Sequence, residues 1–147
     1  RLVTAAVTAA QSSIDPRFIQ KLFNTDQVNL AVVAFFGMNG PGDIDKEKFH
    51  PLFEEASPLN HLSSDDVPVM AYYNQANEEL PPNSSGRLHI HHPKFGIVLK
   101  EEMKKAGLEC TLLLSEDYRG NPVDKLADYL IEKLHNPSGQ TQAPKAQ

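Results

Sequence analysis

The sequence predicts an α/β fold: a parallel sheet enclosed by helices in a three-layer α/β/α arrangement. Three observations carry this expectation. The runs Leu2–Val7, Val69–Tyr73 and Cys110–Leu114 are apolar or β-branched almost throughout, as strands covered on both faces are. Amphipathic helical spacing fills the intervals between them. Pro, Gly and small polar clusters mark each change of element. Strand, helices, strand, helix, strand, helix is the alternation that right-handed crossovers in a parallel sheet produce.

Taken in order, the first strand is followed by Gln11–Pro16, which reads as a helix start. Asp15 can cap the free amides, and Pro16 lacks an N–H only where none is needed. Phe18, Ile19, Leu22 and Phe23 then recur at helical spacing. Val28–Phe36 has the Val content of a strand, but Leu30, Val33, Ala34 and Gly37 fit a helix, and the helix is preferred. Met38–Gly42 is a turn. Asp45 is expected to cap a helix over Lys46–Ala56, broken or bent near Pro51 and ended by Ser57-Pro58. A polar loop over Asn74–Arg87 follows the second strand. His92-Pro93 opens a helix carrying Phe95, Val98, Leu99, Met103 and Ala106 on one face, and Gly107 ends it. Asn121-Pro122 opens the last helix, with Val123, Leu126, Ala127, Leu130, Ile131 and Leu134 along its expected core face. The organisation is thus one domain over residues 1–135 and a disordered tail over 136–147.

Composition narrows the function classes. The chain has 147 residues, 40% of them hydrophobic, and a net charge of −5, which disfavours a phosphate-binding basic surface and hence nucleic acid. No apolar run reaches the roughly 18 residues of a membrane span. A single cysteine, Cys110, excludes an internal disulfide framework and a multi-Cys zinc site. No charged segment precedes a long apolar core, so no signal peptide is read in this chain. Position 1 is Arg and the first strand starts almost at once. A piece of a longer protein is therefore expected, with a gene encoding a short form as the alternative.

The stretch Glu55-Ala56-Ser57-Pro58-Leu59-Asn60-His61-Leu62-Ser63-Ser64-Asp65-Asp66-Val67-Pro68-Val69-Met70 resembles the α/β-hydrolase superfamily, in its esterase/lipase and prolyl-oligopeptidase-like branch. There, such a segment leads into the strand whose following loop carries the catalytic acid. The Phe95–Cys110 segment is similar to the next helix and strand of that fold, and His91-His92-Pro93-Lys94-Phe95-Gly96 resembles a subgroup of bacterial hydrolase-like proteins. The resemblance implies the C-terminal half of such a fold and, for an intact parent, ester or amide hydrolysis through an acyl-serine. The nucleophile motif G-x-S-x-G, which exposes a serine on a sharp strand-to-helix turn, is absent. The usual acid position falls on Asn77, which cannot hold a histidine as an anion, and Glu78 beside it is a candidate displaced acid. The loop after the last strand, Ser115–Asn121, contains no histidine, so the proton acceptor is missing too. This chain alone is expected to be non-catalytic.

Other clusters read more simply. His89, His91 and His92, with Glu78 or Glu79, are the residues from which a metal site would be built. The preferred reading is a loop whose histidines cap and pack, and neither metal nor cofactor is expected. Asp65 and Asp66 suit a turn. Lys100, Lys104 and Lys105 interleave with Glu101 and Glu102 as a salt-bridged helix face. Cys110 is an inert thiol in an apolar strand. Tyr72, Tyr73 and Asn74, near a strand end, are the candidate substrate-cleft residues. Expected partners are the missing N-terminal half of the fold or a second copy joined through a strand edge. The alternative function is a non-catalytic interaction module that pairs through that edge.

Overall fold

The computed structural model describes residues 2–81 and 84–136. Its sheet is parallel and ordered β1-β2-β3, from β1 (Ala5–Thr8), β2 (Val69–Tyr73) and β3 (Cys110–Leu114). β2 is central, in register with Ala5 opposite Val69 and Tyr73 opposite Leu114. Pairing starts where the Ala5 N–H reaches the Pro68 carbonyl at 3.0 Å, so β1 begins later than the apolar run suggests and Leu2 and Val3 stay exposed. The expected tail lies, from residue 137 onward, outside the described residues.

The helices are α1 (Pro16–Phe23), α2 (Leu30–Phe35), α3 (His50–Glu55), α4 (Gly86–His89), α5 (Lys94–Lys105) and α6 (Pro122–His135). Asp15 caps α1 by accepting the Arg17 N–H at 2.8 Å, and Asn121 caps α6 through Val123 at 3.1 Å. Gly107 leaves α5 at φ +77°, a left-handed step that glycine takes without strain. Two expectations need correction. The helix expected over residues 46–56 is broken just before Pro51, and Asp45 caps neither piece. A 3-10 turn over Glu47–Phe49 precedes α3, because Pro51 lacks an N–H and fits only a first helical turn. The apolar stripe of α6 is only half used. The helix lies against β1 and β2, burying Tyr129, while Val123, Ile131 and Leu134 remain exposed. The face turned inward is Leu126, Tyr129, Leu130 and Lys133, rotated from the expected stripe.

The core is in two parts. Ile19, Ala71, Tyr73 and Phe95 are buried together under the sheet, with Val7, Phe18, Leu22, Phe23, Leu112 and Leu114 around them. The second part belongs to the long β1–β2 crossover, where Val33, Phe36, Met38, Ile44, Phe49 and Phe53 are buried together. Buried serines join the two. The Ser57 hydroxyl donates to the Phe53 carbonyl at 2.8 Å and accepts from Ser13 Oγ at 3.0 Å and the Asp15 N–H at 3.2 Å. Ser12 Oγ donates to the Phe95 carbonyl at 3.0 Å, and the Ser12 carbonyl accepts the Leu59 N–H at 3.0 Å.

α5 approaches the sheet through Gly96, where a Cβ would overlap the Tyr73 ring and Leu112 Cδ1. Gly96→Ala is therefore expected to lower the free energy of unfolding by about 1–3 kcal/mol. Ser57→Ala, which strips partners from a buried N–H and a buried hydroxyl, is expected to cost about 1–3 kcal/mol. Urea unfolding followed by far-UV circular dichroism measures both, and an unchanged midpoint for either would contradict the packing described.

Candidate functional site

In a parallel α/β sheet the crevice outside the carboxyl ends of the strands is where ligands bind. Here β1 leaves the sheet through Ala9, whose N–H still bonds the Tyr72 carbonyl at 2.7 Å and whose φ of 47° is left-handed. That turn throws Gln11 and Ile14 to one side of the crevice. The Tyr73 hydroxyl donates to the Ala10 carbonyl at 2.6 Å and fixes the segment from below. The opposite wall is α2. It is capped by Asn29, whose Oδ1 accepts the Ala31 N–H at 2.7 Å and whose Nδ2 donates to the Gly86 carbonyl at 3.3 Å. Gly86 is required there, since a Cβ would stand 2.8 Å from the Asn29 backbone nitrogen. Between these walls is a cavity of about 270 Å³, bounded on its apolar sides by Ile14, Val32, Phe35, Phe36 and Ile90. Gln11 and Asn29 are its polar boundary, and the Gln11 Nε2 atom is buried with no hydrogen-bond partner among the described residues.

The histidine cluster behind the cavity does not converge on a point. His92 is fully buried, and its tautomer follows from its partners: Nε2–H donates to the Glu78 carbonyl at 2.9 Å while Nδ1 accepts the Lys94 N–H at 3.1 Å. His89, 1% exposed, stacks on Phe23 at 4.7 Å, and His92 meets the same ring edge-on at 5.2 Å. His91 turns the other way, into solvent, and its Nδ1–H donates to the Ala9 carbonyl at 3.0 Å. Among the described residues no group of three His, Cys, Asp or Glu side chains is placed to hold a metal ion. Burial pushes the His89 and His92 imidazoles below their ordinary titration range, the neighbouring His92 charge adding to the effect at His89.

Ser84 Oγ lies 3.0 Å from His89 Nε2, the spacing of a nucleophile and its base. The pair lacks the rest of a catalytic site. Both residues are buried, and His89 Nδ1 has no partner among the described residues, so no acceptor sits behind the ring to support it as a base. The contact secures the start of α4 instead.

The other expected site residues are dispersed. Asn77 and Glu78 have exposed side chains on the loop after β2, and only the backbone carbonyl of Glu78 enters the cluster. Glu79 pairs with Lys94 at 3.0 Å. Tyr73 is fully buried in the sheet core rather than lining the crevice, because its position in β2 faces α5. Neither Tyr72 nor Asn74 borders the cavity. Asp65 and Asp66 accept from Ser63 in a turn, at 2.7 Å and 2.8 Å. Burial raises the Cys110 thiol, as suits an inert side chain. Sequence reasoning did not find Gln11, which no motif marks, nor the Ser84–His89 contact, whose one trace is the five-residue spacing between them. No family model, curated protein or solved structure matches the chain.

Because His89 and His92 are neutral when folded, the unfolded chain takes up protons first on acidification. The stability they contribute is fully present above their unfolded titration near pH 6.5 and is lost as pH falls through it. The urea midpoint is expected to drop between pH 7.5 and pH 5.5. His92→Asn, which cannot protonate, is expected to flatten that slope. A midpoint independent of pH over this interval would show that neither ring is held neutral.

Proposed function

We propose that residues 1–135 are the C-terminal part of an α/β-hydrolase-like protein of the esterase/lipase type, a three-layer α/β/α unit that is non-catalytic alone. In the intact parent this part supplies one wall of the substrate crevice. The observation that carries the reading is the outer edge of β1, which no strand among the described residues pairs. The Ala5 and Ala9 amides bond toward β2, and alternate residues of a parallel strand bond to the same side. The backbone groups of Ala6 and Thr8 therefore face outward, ready for a further strand beside the carboxyl-end crevice. The sequential, all-parallel strand order and the Glu55–Met70 segment support the same reading. Asn77 at the acid position and the histidine-free loop 115–121 support the lack of activity in isolation.

The open edge also supports a second reading, a non-catalytic module that pairs β1 with another chain or with its own copy. Hydrolysis of p-nitrophenyl butyrate and labelling by a fluorophosphonate probe test the two, run on residues 1–147 and on the complete product of the gene. The hydrolase reading expects neither signal from this chain, and a labelled serine outside it in the complete product. A complete product that neither labels nor hydrolyses overturns it. A defined dimer in sedimentation, with slow exchange of the Ala6 and Thr8 amides, establishes the second reading.

A further inference from the structure

We propose that this chain pairs with a second copy of itself across the outer edge of β1, with the two α6 helices packed against each other over the joined sheet. The inference rests on the second reading above, pairing through β1, and adds to it the occupant and a second contact surface.

Exposed apolar side chains are concentrated at this place. Of the nine large hydrophobic residues exposed among the described residues, Leu2 and Val3 lead into β1, and Val123, Ile131 and Leu134 belong to α6. Exposed Ala127 completes the α6 set, so Val123, Ala127, Ile131 and Leu134 form one row at helical spacing. The direction of the row follows from Lys133, whose Nζ pairs with Glu109, just ahead of β3, at 2.6 Å. That flank of α6 is turned toward β3. The row lies roughly a third of a turn from Lys133, beyond inward Leu126 and Leu130, and therefore on the flank toward the free edge of β1.

A second copy fits both surfaces at once. α6 rests on β1 and on β2, over the gap between them. Two-fold pairing of β1 with its copy continues the sheet at the same strand spacing, so each α6 axis stands one spacing from the midline. The two axes are then about 9–10 Å apart, the distance at which helices pack. A strand alone would leave the α6 row uncovered. In antiparallel pairing centred on Ala6, that residue bonds its own copy and Thr8 bonds Thr4. The same two-fold runs the helices antiparallel, setting small Ala127 against Ile131 and Val123 against Leu134. Acidic Asp124 in the first turn of α6 then meets basic His135 in the last, so the rim is complementary in charge.

Sedimentation equilibrium and amide hydrogen exchange test this on residues 1–147 and on the complete product of the gene. Both are expected to be dimers at about 100 µM, with slowly exchanging Ala6 and Thr8 amides. Ile131→Glu places a charge from each copy in the helix contact and is expected to weaken the dimer about a hundredfold. Ala127→Glu, which keeps a strong helix former on an exposed position, is expected to act alike and decides if Ile131→Glu fails to fold. Leu30→Glu, exposed on α2, is expected to leave the dimer unchanged. A folded α6 variant that dimerises with full affinity and slow Ala6 and Thr8 amides overturns the inference, while pairing through β1 stands. A monomer in which both amides exchange fast overturns the two together. A monomeric complete product with both amides slow gives the surface to a strand of the same chain and overturns the inference as well.

Discussion

The Ser57 hydroxyl is the joint on which the rest of the molecule depends. It uses its one proton on the Phe53 carbonyl and both lone pairs on Ser13 and the Asp15 N–H, so a single buried group is saturated by three segments. Those segments are the end of α3, the strand exit and the cap of α1. With Ser12 bonded to Phe95, the chain leaving β1 is tied to the crossover core and to α5. Apolar packing alone would let the two cores slide past each other, since hydrophobic burial is non-directional. Directional bonds between them remove that freedom and set where Gln11 and Ile14 lie.

The joint also explains the chemical character of the crevice. Polar capacity near the β1 exit is almost wholly consumed in structure: the Ala9 carbonyl by His91, the Ala10 carbonyl by Tyr73, the Asn29 amide by α2 and Gly86. What faces the cavity is the remainder, mostly hydrocarbon. The histidines follow the same economy. His92 has both ring nitrogens engaged by backbone, which makes it a strut for the loop from Glu78 to Lys94 rather than a proton carrier.

Periodicity and cap chemistry made much of the fold legible. β2 and β3 have the expected bounds, Asp15 and Asn121 cap where their residue types predict, and Gly107 closes α5. Local signals failed where the outcome was tertiary. Val123, Ile131 and Leu134 have core spacing, yet α6 turns Leu126, Tyr129 and Leu130 inward instead, a rotation that a helix pattern does not encode. Tyr73 looked available for a cleft, but strand alternation alone does not say which face α5 will cover, and Gly96 brings that helix onto its ring. His89, His91 and His92 are adjacent in sequence but divide between interior and surface, since a short helix and turn rotate consecutive side chains apart.

The crevice is walled by α2, which has 6 residues, and is braced by α4, which has 4. Helices of that length have no stability of their own in water, where about 12–15 residues are marginal. They persist through the burial of Val32 and Val33 in the crossover core, the Asn29 bonds, the Gly86 contact and the Ser84–His89 pair, so the wall is held in place by tertiary contacts. Local opening of this wall therefore starts where those contacts are lost, since neither helix is long enough to stay formed without them.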